Sequence, residues 1–417
     1  MPKIVSLDEI WIDLPLKEVP WRNMIRELPH WRLFQLFKVT LDTGHVGVGE
    51  MPPYYTRFEV TDDARQRVIG KHPAEVMWDD TLGCGLQMAC CDAAARLIDA
   101  PLWSLLGEKV RDRAYVGWWA IDMPVEDWIL ECQEGLDNGY TTFKSKARPW
   151  FDLENQLTKL CAFLPDHFKV DMDFNDFGLD PAIARPLCKS LERFKHLAIW
   201  ESPILQEDLQ GNRELRQHLS VPIAHHAGRP ELASQIEQQA CDGFVIEGGI
   251  SWATKTAATL ATFNKPFWLQ WTGTNLTAFF GLHLQAVMTH CRWPAIHCHH
   301  MYIDQIVQEP FVVENGMASI PAGPGIGVTI DWDVVEQYRT QPQARPYPHP
   351  GVLLRVDWPS GTKSYFAHTE QMWAYFRASC APAFVPGVHL VRVDDDGSDE
   401  WRGLHERVQN APVHTNG

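Results

Sequence analysis

The chain reads as a (β/α)8 barrel of the TIM type joined to a smaller N-terminal α+β domain. Three observations carry that reading. After Arg113, short apolar runs recur eight times, centred on Gly117, Lys144, Asp171, Ile199, Ile223, Val245, Trp268 and His297. The steps between centres are 27, 27, 28, 24, 22, 23 and 29 residues. Each gap holds a helical pattern, as in residues 152–164 and 180–191, and eight buried-type strands each followed by a helix are the signature of a closed parallel barrel. Before Arg113 the rhythm is different, with strand-like segments first and helical spacing later.

Taken in order, residues 5–14 alternate loosely and residues 33–41 are strongly strand-like, rich in Leu, Phe and Val. Asp42-Thr43-Gly44 supplies a hairpin turn before Val46-Gly47-Val48-Gly49. Residues 20–29 form a polar stretch between strands, a candidate substrate lid around Trp21 and Trp31. Residues 61–106 carry apolar side chains at helical spacing, clearest in 88–98. The expected organisation is an α+β domain at 1–112, the barrel at 113–320, and a last part at 321–417. That last part holds a proline-rich linker at 341–350 and strand-like runs at 352–356 and 388–393, the second running into Asp394-Asp395-Asp396.

Composition narrows the function. The 417 residues include 37 basic and 53 acidic side chains, a net charge of −16, which argues against a nucleic-acid or anionic-membrane surface. Apolar residues make up 45% and no run approaches a membrane span, so a soluble globular chain is expected. The start lacks the features of a signal peptide, and ten cysteines without a CxxC pair fit reduced thiols; the expectation is a cytoplasmic protein.

In a parallel barrel the chemistry sits where strands end. The polar residues there are Lys144, Lys146, Asp171, Asp173, Asn175, Glu201, His225, His226, Glu247, Gln270, His297 and His299. Lys144-Ser145-Lys146 places two ammoniums on one strand face, where each should depress the other's pKa and free an amine as a base. Asp173 and Glu201 end successive strands, a geometry suited to a hard cation. The bland alternatives are surface lysines and helix caps. His290-Cys291 and His297-Cys298-His299-His300 are dense in metal-binding types, but their spacing fits no zinc finger. One or two strand-end histidines near a substrate is the better expectation.

In these motifs the chain resembles the enolase superfamily, nearest its mandelate racemase/muconate lactonizing enzyme-like branch, over residues 1–335. The resemblance rests on residues 44–50, on Asp92 and residues 105–112, and on Lys144-Ser145-Lys146, Asp173-x-Asn175 and Trp200-Glu201-Ser202-Pro203. Val221-Pro222-Ile223-Ala224, Gly248-Gly249 and residues 321–328 complete it. It makes Gly325-Ile326-Gly327 a return of the chain to the first domain, not a dinucleotide fingerprint. The family implies removal of a proton beside a carboxylate, with one divalent metal, Mg²⁺, stabilising the enediolate. Carried over, Lys146 is the base, Lys144 contacts the carboxylate or tunes Lys146, and Asp173 and Glu201 are metal ligands. Asn175, Gln270 and Glu247 are left to bind substrate.

Two departures shape the expectation. Where the family shows a third acid after Pro222-Ile223-Ala224, this chain has Ala227 behind His225-His226. His226 is the nearer substitute ligand and His225 shares strand parity with Ala227; an imidazole would favour Mn²⁺ or another softer metal. The alternative is a site without metal, in which the histidines donate hydrogen bonds. At the sixth and seventh strand ends stand Glu247 and Gln270, with no evident second base. The expectation is therefore a lyase that eliminates water from a sugar acid or hydroxy acid, with His225 or His226 protonating the departing hydroxyl. A racemase or epimerase of the same superfamily, and a metal-free barrel that binds a small carboxylate without turnover, stay open. A homo-oligomer is implied by resemblance alone.

Overall fold

The computed structural model describes residues 1–55, 59–346 and 351–416. Part of the proline-rich stretch, residues 347–350, lies outside them.

The N-terminal part opens with β1 (Ile4–Asp13), α1 (Glu18–Met24), β2 (Leu33–Leu41) and β3 (Val46–Met51). Four helices follow: α2 (Asp62–Val68), α3 (Pro73–Val76), α4 (Cys84–Leu97) and α5 (Trp103–Leu106). β2 pairs antiparallel with β1 and β3. Helix α4 lies on that sheet so closely that only glycine fits beneath it. A Cβ on Gly47 would stand 2.2 Å from Ala89 O, and one on Gly49 2.2 Å from Gly85 O. Residues 20–29 do not form the open loop expected. The first half folds as α1, and the segment is fastened down: Asn23 Nδ2 donates to Asp127 Oδ2 at 2.7 Å, and Arg26 pairs with Asp122 at 2.8 Å.

The barrel begins after β4 (Arg113–Tyr115). Its strands are β5 (Trp118–Trp119), β6 (Thr142–Lys146), β7 (Lys169–Asp173), β8 (Leu197–Glu201), β9 (Ile223–His226), β10 (Gly243–Ile246) and β11 (Phe267–Leu269). Between and after them run α6 (Val125–Asp137), α7 (Leu153–Phe163), α8 (Pro181–Leu191), α9 (Leu209–His218), α10 (Leu232–Glu237), α11 (Ile250–Thr262) and α12 (Asn275–Val287). The sheet order β11-β10-β9-β8-β7-β6-β5 is parallel throughout. The eighth run is reduced to two bridging residues. Ala295 pairs with Val116 beside β5, and Ile296 with Gln270 beyond β11, which closes the ring.

The chain then passes through β12 (Val313–Glu314), β13 (Met317–Ser319) and α13 (Trp332–Gln337) to β14 (Arg339–Thr340), which joins the N-terminal sheet beside β1. On the way, Ile326 N donates to Asp92 Oδ1 at 2.8 Å while Val48 N donates to Asp92 Oδ2 at 3.0 Å. One buried carboxylate thus ties α4, β3 and the returning segment together. Residues 351–416 build a separate antiparallel sheet of order β17-β15-β16-β18, from β15 (Val352–Asp357), β16 (Lys363–Phe366), β17 (His389–Asp394) and β18 (Val413–Thr415). Helices α14 (Thr369–Arg377) and α15 (Asp399–Val408) pack with it. Among the described residues no helix is long and apolar enough to cross a membrane.

Candidate active site

Strand register sets the site. Lys146 pairs with Asp173, and Asp173 with Glu201, so three strand ends stand at one level. Side chains two apart share a face, which puts Lys144 on the same inner side one layer below Lys146. The Lys146 Nζ lies 2.5 Å from Asp173 Oδ2, and the Lys144 Nζ 2.5 Å from Glu201 Oε2. Lys144 also donates to Gln270 Oε1. His226 Nε2 is 3.1 Å from Glu201 Oε1, its Nδ1 is 3.7 Å from Glu247 Oε1, and Arg229 Nη2 is 3.1 Å from that same Glu247 oxygen.

A cavity of about 530 Å³ opens above this layer. Of the residues expected at the site, Lys146, Asp173, Asn175, His226, Glu247 and Gln270 line it. Lys144 and Glu201 do not; they are fully buried beneath it. The N-terminal part contributes Glu50, Met51, Pro52 and Tyr55 to the wall. Glu50 is fixed there by the start of α12, accepting from Thr274 N at 2.8 Å and Thr277 N at 3.0 Å.

Electrostatics follow the pairing. Burial by itself would lower Lys144; the charges of Glu201 and Asp173 outweigh it and raise its pKa. The expected mutual depression of the two lysines is therefore overturned for Lys144, because the carboxylates on neighbouring strands, Glu201 at 2.5 Å among them, outweigh burial. Burial would raise Asp173, but Lys146, Lys144 and Arg148 hold it below the usual carboxylate range. Burial pushes Asp171, opposite Lys144, up to about 7. His226 is opposed by burial yet raised to about 10 by its bonds to Glu201 and Glu247.

Several expected residues lie elsewhere. His225 faces outward from the ring; its Nε2 meets Asn212 Oδ1 of α9 at 3.0 Å, and burial lowers it to about 3. Alternation on β9 gives only one of the two histidines to the cavity. His297 bonds Trp271 O at 3.3 Å, His299 packs on Phe311, and His300 stacks on Trp118 with centroids 3.8 Å apart. None of these three lines the cavity. Residues 20–29 do not line it either; Glu27 and Leu28 border a second space of about 790 Å³ toward the C-terminal sheet. Conversely, the cavity holds Arg229, Tyr55, Trp252 and Trp271, which strand-end reasoning passed over. Arg229 had a signal, a basic side chain three residues beyond His226 on the same loop.

The donor set does not fit the expected metal. Among the described residues no three His, Cys, Asp or Glu side chains come together so as to hold an ion. Asp173 and Glu201 each face a lysine, His226 Nε2 is engaged by Glu201, and Ala227, beside His226 on the cavity wall, brings no donor atom. The residues read as ligands, Asp173, Glu201 and His226, form instead one linked polar chain with the lysines.

Residues 128–334 match the family model described as enolase C-terminal domain-like. The chain is 25% identical over 372 residues to a D-gluconate dehydratase of Thermoproteus tenax, spanning 78% of this chain and 73% of that protein. It is 27% identical over 267 residues to an N-succinylamino acid racemase of Thermus thermophilus, spanning 60% of this chain and 69% of that protein. The crystal structure of a 2-chloromuconate cycloisomerase from Rhodococcus opacus superposes with a TM-score of 0.67 at 20% identity. The match covers 81% of this chain and 99% of that one, and the likeness is one of fold.

Proposed function

We propose, on the premise that this chain belongs to the enolase superfamily near its mandelate racemase/muconate lactonizing branch, that it removes the proton beside a carboxylate and eliminates water from a sugar acid or hydroxy acid. The observation that carries this is Lys146: an amine at the cavity edge, 2.5 Å from a buried carboxylate. The Lys146 Nζ takes the proton from carbon, and Asp173 holds the ammonium that results. The C–O bond at the next carbon breaks, the departing hydroxyl takes a proton from His226, and water leaves. The resulting enol becomes a 2-keto acid by taking a proton at carbon.

The substrate carboxylate meets one donor at the cavity wall and one charge beneath it. Gln270 spends its Oε1 on Lys144 and retains its amide N–H groups. Lys144, sealed beneath, contributes a fixed positive charge in a dry environment, where such a charge acts strongly. Family sites of this kind use Mg²⁺ to stabilise the enediolate. Among the described residues the side chains do not assemble three donors for it, so the proton transfer above rests on this chain's own groups.

Dehydration is preferred to racemisation because the seventh strand end carries no base to match Lys146. Lys146 stands on one side, while the seventh strand end offers Gln270, an amide. The test is incubation with a panel of acid sugars, D-gluconate included, in deuterated water. Formation of a 2-keto acid that Lys146→Ala reduces by about 10²–10⁴-fold supports the reading. Deuterium at the α-carbon without loss of water supports a racemase, and a fully active Lys146→Ala protein removes the assigned base.

A further inference from the structure

The C-terminal sheet lies beyond the family match, which ends at residue 334. Its apolar face does not close on itself. Leu354, Val356, Phe366, Met372, Phe376 and Val388 share one buried cluster with Trp150, Phe151 and Phe177. Trp150 and Phe151 follow β6, and Phe177 follows β7, so the sheet is seated on the two loops that leave Lys146 and Asp173. It also reaches the N-terminal part, where Thr369 Oγ1 donates to Arg26 O at 2.7 Å.

The loop after β7 is in an unusual conformation. Asn175, Asp176 and Leu179 have φ of +42°, +70° and +61°, and none is glycine. A run of such residues persists where its surroundings over-determine it. Three bonds hold Asn175. Its N donates to Asp173 Oδ1 at 2.8 Å, its Oδ1 accepts from Arg148 Nη2 at 2.8 Å, and its carbonyl accepts from Arg377 Nη2 at 3.1 Å. Arg377 belongs to α14. Arg148 is itself pressed against Trp373 of α14, 4.9 Å from the ring centre. Two of the three restraints therefore depend on the C-terminal sheet and its helix.

We propose that residues 351–416 act as a second cap, which clamps the loop 174–179 in its left-handed conformation, and that Arg377 is the positioning residue fixing Asn175 at the cavity edge. The importance of that edge rests on the reading of the cavity as the substrate site. The clamp itself does not, so the test uses no substrate. Hydrogen exchange is followed by mass spectrometry on the full-length protein, reading the amides of Asp176 and Gly178, which bond to Ser202 O and Pro203 O at 2.9 Å each. Arg377→Ala should speed exchange in segment 175–179 about three- to tenfold, the worth of one such hydrogen bond. Arg377→Lys, which keeps a donor for the carbonyl, should return it to within about twofold of the parent. Trp373→Ala, which removes the wall behind Arg148, should loosen the same segment. Unchanged exchange at 175–179 in both alanine variants overturns the proposal. So does an equal rise across all of 352–408 in Arg377→Ala that lysine fails to restore.

Discussion

His225 and His226 are neighbours in the chain, yet their rings lie on opposite sides of the barrel wall. His226 Nε2 is 3.1 Å from Glu201 Oε1 in the cavity, while His225 Nε2 is 3.0 Å from Asn212 Oδ1 against α9. The two should respond differently to the same change. His226→Gln is expected to slow water loss by about 10²–10⁴-fold, the usual worth of a general acid. His225→Gln should leave kcat within a few-fold and lower the melting temperature, because it disturbs a buried bond and little else. Rates of 2-keto acid formation and thermal melts on both variants decide between these outcomes.

Metal affinity should depend on position 227. The parent protein is expected to take up Mn²⁺ weakly in equilibrium dialysis, since no three suitable donors converge among the described residues. Ala227→Glu places a carboxylate at the cavity wall beside His226 and should tighten Mn²⁺ binding at least tenfold. Stoichiometric metal in the parent after purification and dialysis would contradict this.

Glu201 is the only carboxylate bonded to the fully buried Lys144 ammonium among the described residues. Glu201→Gln should therefore destabilise the fold by about 3–5 kcal/mol, the cost of a buried charge left without its partner. A Lys144→Met, Glu201→Leu double variant should recover part of that loss, since the two paired charges leave together while His226 keeps Glu247 as partner. Urea denaturation of the three proteins measures the difference.

Acid should weaken the joint between α12 and the returning chain. His283 accepts from Trp103 N at 3.2 Å through Nδ1 and meets Ile326 O at 2.9 Å through Nε2. Burial lowers it to about 4 from an ordinary value of 6.5. The unfolded chain thus binds this proton more readily than the native one. The stability that the neutral ring contributes is whole above about pH 6.5 and drains as pH falls toward 4. The loss from this group is on the order of 3 kcal/mol. His283→Gln should flatten that part of a stability profile between pH 7 and 4; an unchanged slope would count against it.

Much of the fold could be read from the chain because parallel barrel strands are buried on both faces. Runs such as 197–201 and 243–247 are apolar except for the acid that ends each. The pairing of Lys146 with Asp173 and of Asp173 with Glu201 follows from strand order alone. What could not be read depended on contacts between distant segments. The helix in 18–24 is held by barrel residue Asp127, and the turn behind it by Asp122, which no local pattern announces. The two lysines looked like mutual repellers because the sequence shows them two apart, while their acids arrive from 27 and 57 residues further on. Tyr55 and Arg229 come from loops, where periodicity is silent.

The ring of strands is not equally strong all round. Seven members share ladders, but between Val116 and Gln270 the circle is joined by isolated bridges, at Ala295, Ile296 and Cys291. A hoop fastened by so short a clasp should part there first under strain. The gap would open next to Gln270, so the first fluctuation to undo the barrel would also unseat the amide that steadies Lys144.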